Sequence, residues 1–598
     1  MPESSVSFTR LDGLILIGYL VGITAFGLWM ARKVRTSGGY FLGERRLPWW
    51  VMVGQSFSTG TNAENPVAQT GASFQSGFAT IWYQWKNMLI TPFYWLMAPW
   101  YRRSERTTVG EIIEDRYGRG LALLYTIFAI AFFVFNQGAM LKGAGKIIAV
   151  ATGGEMISPN GVVLAMTVAF VLYSFFGGLV AAAYNDFVQG FLIILLSFIL
   201  IPSGLMAIGG FSGLRQTLPE NFFDLYSEVS GLDAFTIAML TLNGLVGITA
   251  MPHTLTMNAT GRTERAGRIG QTYGSLVKRF CTIGWAFTGL IVAALVIQQG
   301  VQLEDKEHAF GYASLHLLRP GFTGLMVACV LAANMSTCST FMVNTGALFT
   351  QNIYRDYFDP SAADRRLLWI GRFSGLSLTV LGVLFALVVD QVLQAFLFTE
   401  TIAALMGIMF LGGIVWKRAN RYGAWAATIA SFLAYYATNF LMTCRLDGQL
   451  PSTLREAFGQ FAGGISGGVW SSYLATGELQ LVYKWTPGSF GFAMLIGFGA
   501  FILVSLVTPR EPAERTEAFF DRLRRSSDGE AMPESGPRPL AAERGQDLIL
   551  VDLPGWFTAE RWQGFFRRYR EDLIGFALAW ATVALLVFSA WALLQLGA

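Results

Sequence analysis

Four hydroxyl side chains fall within five residues in an otherwise apolar stretch: Ser336, Thr337, Ser339 and Thr340, in AANMSTCSTFMVNTGALFT. Positions 336, 339 and 340 share a helix face, with 337 beside them. Such a run ordinarily bonds back to its own carbonyls, but it also supplies the neutral oxygens a hard monovalent cation takes. Two further stretches offer freed backbone. SFSTGTNAENPVAQTG (56–71) holds Gly60, Asn62, Glu64, Asn65 and Pro66, and LNGLVGITAMPHTLTMN (242–258) holds Gly244, Gly247, Pro252 and His253. An unwound turn in an apolar helix is tolerated only where it lines a cavity or is covered by protein. Freed carbonyls can hold a cation, and half-helix ends a polar solute. Asp186, in YSFFGGLVAAAYNDFVQ, is the third signal. It either reaches water at an interface or sits in the interior, where a carboxylate is costly and functional. Cys281, Cys329, Cys338 and Cys444 show neither metal-ligand spacing nor a disulfide framework, and three of them sit in apolar runs, where they read as small buried hydrophobes. No nucleophile–base pair, metal cluster or phosphate loop is placed for chemistry, so an enzyme is the least expected class.

The elements that must position these residues follow from composition. Of 598 residues 53% are hydrophobic and 14% charged, against about 25% charged in soluble domains. Mean hydropathy is +0.46, and a net charge of +4 gives no footprint for nucleic acid. The expectation is an all-α polytopic membrane protein of about fourteen transmembrane segments, each roughly 20 residues long. They are placed, in order, at 12–31, 48–68, 79–101, 120–141, 161–182, 186–209, 234–256, 279–299, 322–344, 369–390, 394–415, 423–443, 490–508 and 573–595. The two interrupted stretches are segments two and seven. Being five apart, they predict two inverted five-helix repeats, each opening with a broken helix.

Lys and Arg gather at the odd-numbered exits, except after segment five: Arg32, Lys33 and Arg35, then Arg102 and Arg103, Arg262 and Arg265, Arg355 and Arg365, Lys417 and Arg418, and Arg510 and Arg515. This places both termini outside the plasma (inner) membrane. The domain reading is 1–46, external N-terminus, extra helix and basic loop; 47–210 and 234–416, the two repeats; 417–508, extra helices with an external loop at 444–489; 509–571, a cytoplasmic linker, partly disordered; and 572–598, the final helix. FTAERWQGFFRRYR (557–570) reads as either a solvated juxtamembrane helix or one lying on the bilayer.

An ordered set of motifs then carries a resemblance: YFLGERRLPWW (40–50), NAEN (62–65), TTVGEIIEDRYG (107–118), YSFFGGLVAAAYNDFVQ (173–189), MPH (251–253), LAANMSTCSTFMVNTGALFTQNIYRD (331–356) and FLGGIVWKRANRYGAWAA (410–427). Together they resemble the sodium:solute symporter family of sodium-coupled sugar, proline, sialic acid and monocarboxylate transporters. The resemblance implies a LeuT-type fold. It also implies a sodium site at Ser58, Thr61, Ala333, Ser336 and Thr337, and a second sodium site at Asp186, Ser336, Ser339 and Thr340. One or two sodium ions are then co-transported. The substrate positions it implies are Asn65, Gln84, Asn87 and Lys278, the last read as the start of segment eight, with His253 beside the second break. Phe396 stands where sugar-binding members have a glutamine. The implied activity is sodium-coupled uptake of a small polar organic solute by alternating access, sugar- or polyol-like first, a carboxylate or amino acid as the alternative. A transporter-fold sensor or a passive facilitator is less expected. Partners are the solute, sodium and the lipid bilayer, with no nucleic acid; oligomeric state is not readable.

Other polar residues stand out at membrane depth. Lys86 either pairs with Glu64 or Glu400 or binds solute. Trp82, Tyr83 and Trp85 read either as a stacking wall for a sugar or as interfacial anchors. Asn136 and Gln137 either line a cavity or join helices.

Overall fold

The computed structural model describes residues 8–32, 34–152, 159–227, 232–386, 392–446, 485–525, 547–557 and 559–597. The centre of the predicted external loop and residues 526–546 of the linker lie outside them. Among the described residues there is no strand, only one isolated backbone pairing of Leu47 with Gly261.

Nine helical runs among these residues are long and apolar enough to cross a membrane. One of them, Val163–Ile208, contains both segments five and six. The sequence divides them after residue 182; the backbone divides them at Gly178, where φ is +51° and ψ −145° inside the run Pro159–Phe198. An L side chain resists that conformation, and a Cβ there would strike Tyr40. Segments two and seven are broken as expected. Helix Trp49–Thr59 stops before Gly60 and Glu64–Ser76 resumes after Ala63. Helix Ala234–Ala250 stops before Met251, and Thr254–Ala259 follows Pro252 and His253. Segment three is assembled from short turns at 78–85 and the helix Thr91–Arg103. Segment eight is longer than its apolar part. It starts at Glu264, capped by the Thr263 side chain, and runs to Gln299, so Lys278 lies in its middle and not at its start.

The packing repeats itself under exchange of the two halves. Segment two packs on six, through Gly54 against Phe187, as segment seven packs on eleven. Segment eight packs on two as three packs on seven. Segment nine packs on five, where the Tyr173 hydroxyl donates to the Met335 carbonyl at 3.2 Å, as four packs on ten. Segment nine is buried all round, the signature of a central helix.

The basic exits meet at one end of the molecule. Arg45 donates to the Arg106 carbonyl at 2.8 Å, Arg103 pairs with Glu264 at 2.8 Å, and Arg116 donates to the carbonyls of Gly413, Lys417 and Ala419. The start of the linker is folded onto this end. Helix Ala513–Arg524 sets Phe519 and Phe520 under Arg116 and pairs Arg522 with Asp115 at 2.6 Å. Glu511 takes Arg421 at 2.7 Å. Further along the linker, Phe557, Trp562 and Phe566 are exposed.

Candidate functional site

The break in segment two and the hydroxyls of segment nine face each other. Ser336 Oγ donates to the Ser58 carbonyl at 3.1 Å and to its own helix at Ala333 at 2.9 Å. Thr337 Oγ1 reaches the Thr59 carbonyl at 3.1 Å, Ser58 at 3.3 Å and Ala333 at 3.4 Å. Oxygens from two helices thus converge where the first half-helix ends, and all of these residues are buried. Asn334 fastens the turn beyond: its Oδ1 accepts from the Ala63 N–H at 2.8 Å and its Nδ2 donates to the Met140 carbonyl at 2.7 Å.

Four of the five expected ion-site residues therefore meet: Ser58, Ala333, Ser336 and Thr337. Thr61 lies beyond them in the turn. Its N–H donates to Ser58 at 3.0 Å, while its buried hydroxyl has no hydrogen-bond partner. Thr59 was missed, because the sequence marked the break but not which carbonyls it frees.

Asp186 is fully buried, which removes the reading of an interfacial residue in water. Its Oδ2 accepts from Thr59 at 3.1 Å and Thr340 at 3.3 Å, and its backbone carbonyl accepts from Ser58 Oγ at 2.6 Å. Its Oδ1 has no hydrogen-bond partner, and no described cationic side chain forms an ion pair with it. A carboxylate so placed is stabilised by a nearby positive charge. Ser339 turns instead to the Ser336 carbonyl, at 2.8 Å.

Beside the breaks lies a cavity of about 90 Å³, partly open to solvent. Segment two supplies Gly60, Asn62 and Glu64, and segment three Asn87 and Tyr94. Segment four supplies Phe132 and Asn136, segment seven Gly244, Met251 and His253, and segment nine Phe341. Segment eight gives Gln271, Ser275, Lys278 and Arg279, and segment eleven Phe396 and Glu400. Asn87 fits because residue 244 is glycine; a Cβ there would overlap its Oδ1. His253 lies against the rings of Phe341 and Phe132, at 5.3 and 6.0 Å between centroids. Lys278 donates to the Gly60 carbonyl, capping the first half of segment two.

Of the expected solute residues, Asn87, His253, Lys278 and Phe396 line this cavity; Asn65 and Gln84 do not. The Asn65 Oδ1 is spent on the Asn62 N–H within the broken turn, at 3.3 Å. Trp82, Tyr83 and Trp85 are no stacking wall either. The Trp82 indole donates to Leu225 and the Trp85 indole to Arg279, both at backbone carbonyls. Lys86 forms a buried ion pair with Glu400. Asn136 both lines the cavity and donates to Thr399 at 3.3 Å. Gln271, Ser275 and Arg279 were missed. Their spacing with Lys278 puts them on one face, but the sequence places segment eight at 279–299, so Gln271 and Ser275 fall outside it and Arg279 at its edge.

The family model of the sodium:solute symporters matches residues 40–431. The chain belongs to the sodium:solute symporter family. Across 437 residues it is 27% identical to the osmoregulated proline transporter OpuE of Bacillus subtilis, over 69% of this chain and 85% of that one. It is 23% identical to the sodium/glucose cotransporter of Vibrio parahaemolyticus, over 72% and 84%. It is 24% identical to sodium/myo-inositol cotransporter 2 of Sus scrofa, over 71% and 68%. A solved Na⁺-coupled sialic acid symporter, in a substrate-bound outward-open state, superposes with a TM-score of 0.67 at 17% identity, covering 84% of this chain and all of that one. The symporter therefore has the expected inverted-repeat transporter fold. It is a secondary transporter of small solutes, coupled to sodium, and not an enzyme.

Proposed function

We propose that this symporter moves a small polar organic solute into the cell by alternating access, with sodium held between the break of segment two and the hydroxyls of segment nine. The observation that carries the reading is the convergence of Ser336 and Thr337 on the Ser58 and Thr59 carbonyls. Sodium there ties the unwound turn to the central helix. The same turn presents Gly60, Asn62 and Glu64 to the solute cavity, so ion and solute act on one element. Each then raises the other's affinity by the same factor, on the scale of about 1–3 kcal/mol.

Asp186 with Thr340 is the place for a second sodium. The proposed arrangement in the cell membrane has fourteen spans, both termini outside and 509–571 cytoplasmic, with repeats at 47–210 and 234–416. The basic residues gathered at one end support this orientation. The test is uptake of a panel of radiolabelled sugars, amino acids and carboxylates into proteoliposomes, with an inward sodium gradient and with potassium in its place. Accumulation only with the sodium gradient is expected. Equal flux in both, running in both directions, refutes coupling in favour of a facilitator.

A further inference from the structure

We propose that the solute of this cavity carries a carboxylate, held by the Arg279 guanidinium, together with hydrogen-bond donors that meet Asn87 and Glu64. This rests on the reading of the cavity as the solute site and names the class of solute it takes.

The argument is one of charge balance and unpaired atoms. Lys278, Arg279, Glu64 and Glu400 line the cavity, and Lys86 stands behind Glu400. The Lys86–Glu400 pair neutralises itself, with side chains 0% and 4% exposed. Lys278 holds the Gly60 carbonyl and lies within electrostatic range of Glu64. Three cations against two carboxylates leave one positive charge over, and the geometry says whose it is. Arg279 is buried at 4% exposure, and its Nε and Nη1 have no hydrogen-bond partner. No described carboxylate forms an ion pair with it; of its electrostatic neighbours, Tyr94 is neutral and Glu400 is already engaged by Lys86.

A buried guanidinium with unpartnered donors carries a desolvation cost that a bound anion offsets. Sodium has the wrong sign, and a neutral sugar leaves the charge where it is. A carboxylate matches the planar fork of donors and restores neutrality. The opposite need appears elsewhere on the same wall. Asn87 Oδ1 and Glu64 Oε2 are buried acceptors without donors. Hydroxyl or ammonium groups on the remainder of the solute satisfy them. Asp186 and Arg279 are thus buried charges without an ion pair among the described residues, in separate places. Asp186 awaits a cation and does not line the cavity; Arg279 awaits an anion and does.

The test uses the purified full-length chain and follows its unfolding temperature in sodium chloride and in potassium chloride. The probes are matched pairs: D-glucuronate with D-glucose, D-gluconate with sorbitol, L-lactate with lactamide, and L-proline with L-prolinamide. In sodium, at least one carboxylate is expected to stabilise the protein at a concentration roughly tenfold or more below its twin lacking the carboxylate. The hydroxy-acid and amino-acid arms separate hydroxyl from ammonium donors. Arg279→Gln should raise the half-maximal concentration by a similar factor, and Arg279→Lys by less. The stabilisation by sodium alone, recorded for each variant, shows that it is folded. Equal potency of the twins lacking the carboxylate, no stabilisation by any carboxylate, or an unchanged carboxylate response in Arg279→Gln overturns the proposal. Absence of any sodium response in the parent chain strikes the ion-coupled reading instead, so the two failures are told apart.

Discussion

The buried pair of Lys86 and Glu400 gives a prediction whose size follows from its surroundings. Removing one partner of a buried ion pair leaves the other charge stranded, at a cost of about 3–5 kcal/mol. The two variants are not equivalent here. In Lys86→Met the Glu400 carboxylate keeps Arg279 as an electrostatic neighbour, which places the cost near the lower figure, about 3 kcal/mol. In Glu400→Gln the Lys86 ammonium is stranded near the positive charge of Lys278, and the cost is about 5 kcal/mol. The double variant Lys86→Met/Glu400→Gln removes the stranded ammonium, so it should cost no more than Glu400→Gln alone. The single costs then fail to add by about 3 kcal/mol. Equilibrium unfolding in mixed SDS micelles measures all four proteins. Single costs below about 1 kcal/mol, or costs that add within about 0.5 kcal/mol, refute the reasoning.

Further expectations concern the ion sites and the linker. Ser336→Ala should raise the sodium needed for half-maximal uptake by roughly five- to tenfold, the worth of one lost oxygen contact; unchanged sodium dependence counts against that site. Asp186→Asn should lower the sodium:solute stoichiometry from two to one or abolish uptake, read from paired fluxes of labelled sodium and solute; a retained two-ion stoichiometry removes the second site. At Glu511, burial alone would raise the carboxyl, but the bonds from Arg421 and the charge of Arg515 hold it below its ordinary value of 4.5. Its contribution to stability is therefore complete above that value and is lost as pH falls through the depressed one. Glu511→Gln should flatten the acid side of the stability profile, and an unaltered acid limb contradicts the role of that contact.

The broken helices were legible because Gly and Pro at membrane depth have few other uses, and the hydroxyl run because four such side chains interrupt an apolar helix. What escaped was what side chains do once helices cross. Thr59 looks like Ser58 in sequence, and only the angle between segments two and nine decides which carbonyls Thr337 reaches. Gln84 and Asn87 are three residues apart, yet glycine at 244 admits Asn87 to the cavity while Gln84 stays behind the wall. Gln271 and Ser275 were hidden by hydropathy itself: the polar half of segment eight falls outside 279–299, although the helix keeps those groups inside by lining the cavity with them, and Arg279 reads only as the segment's first residue. The linker shows a related point. Its charge reads as partial disorder, and within it Phe519 and Phe520 fasten 513–524 beneath Arg116.

Binding of radiolabelled sodium to the purified chain tests the central claim most directly. In the parent protein, unlabelled sodium should displace the label and potassium should not, and Ser336→Ala/Thr337→Ala should weaken binding by roughly tenfold or more. Binding of equal affinity in that double variant would contradict an ion held between the break of segment two and segment nine.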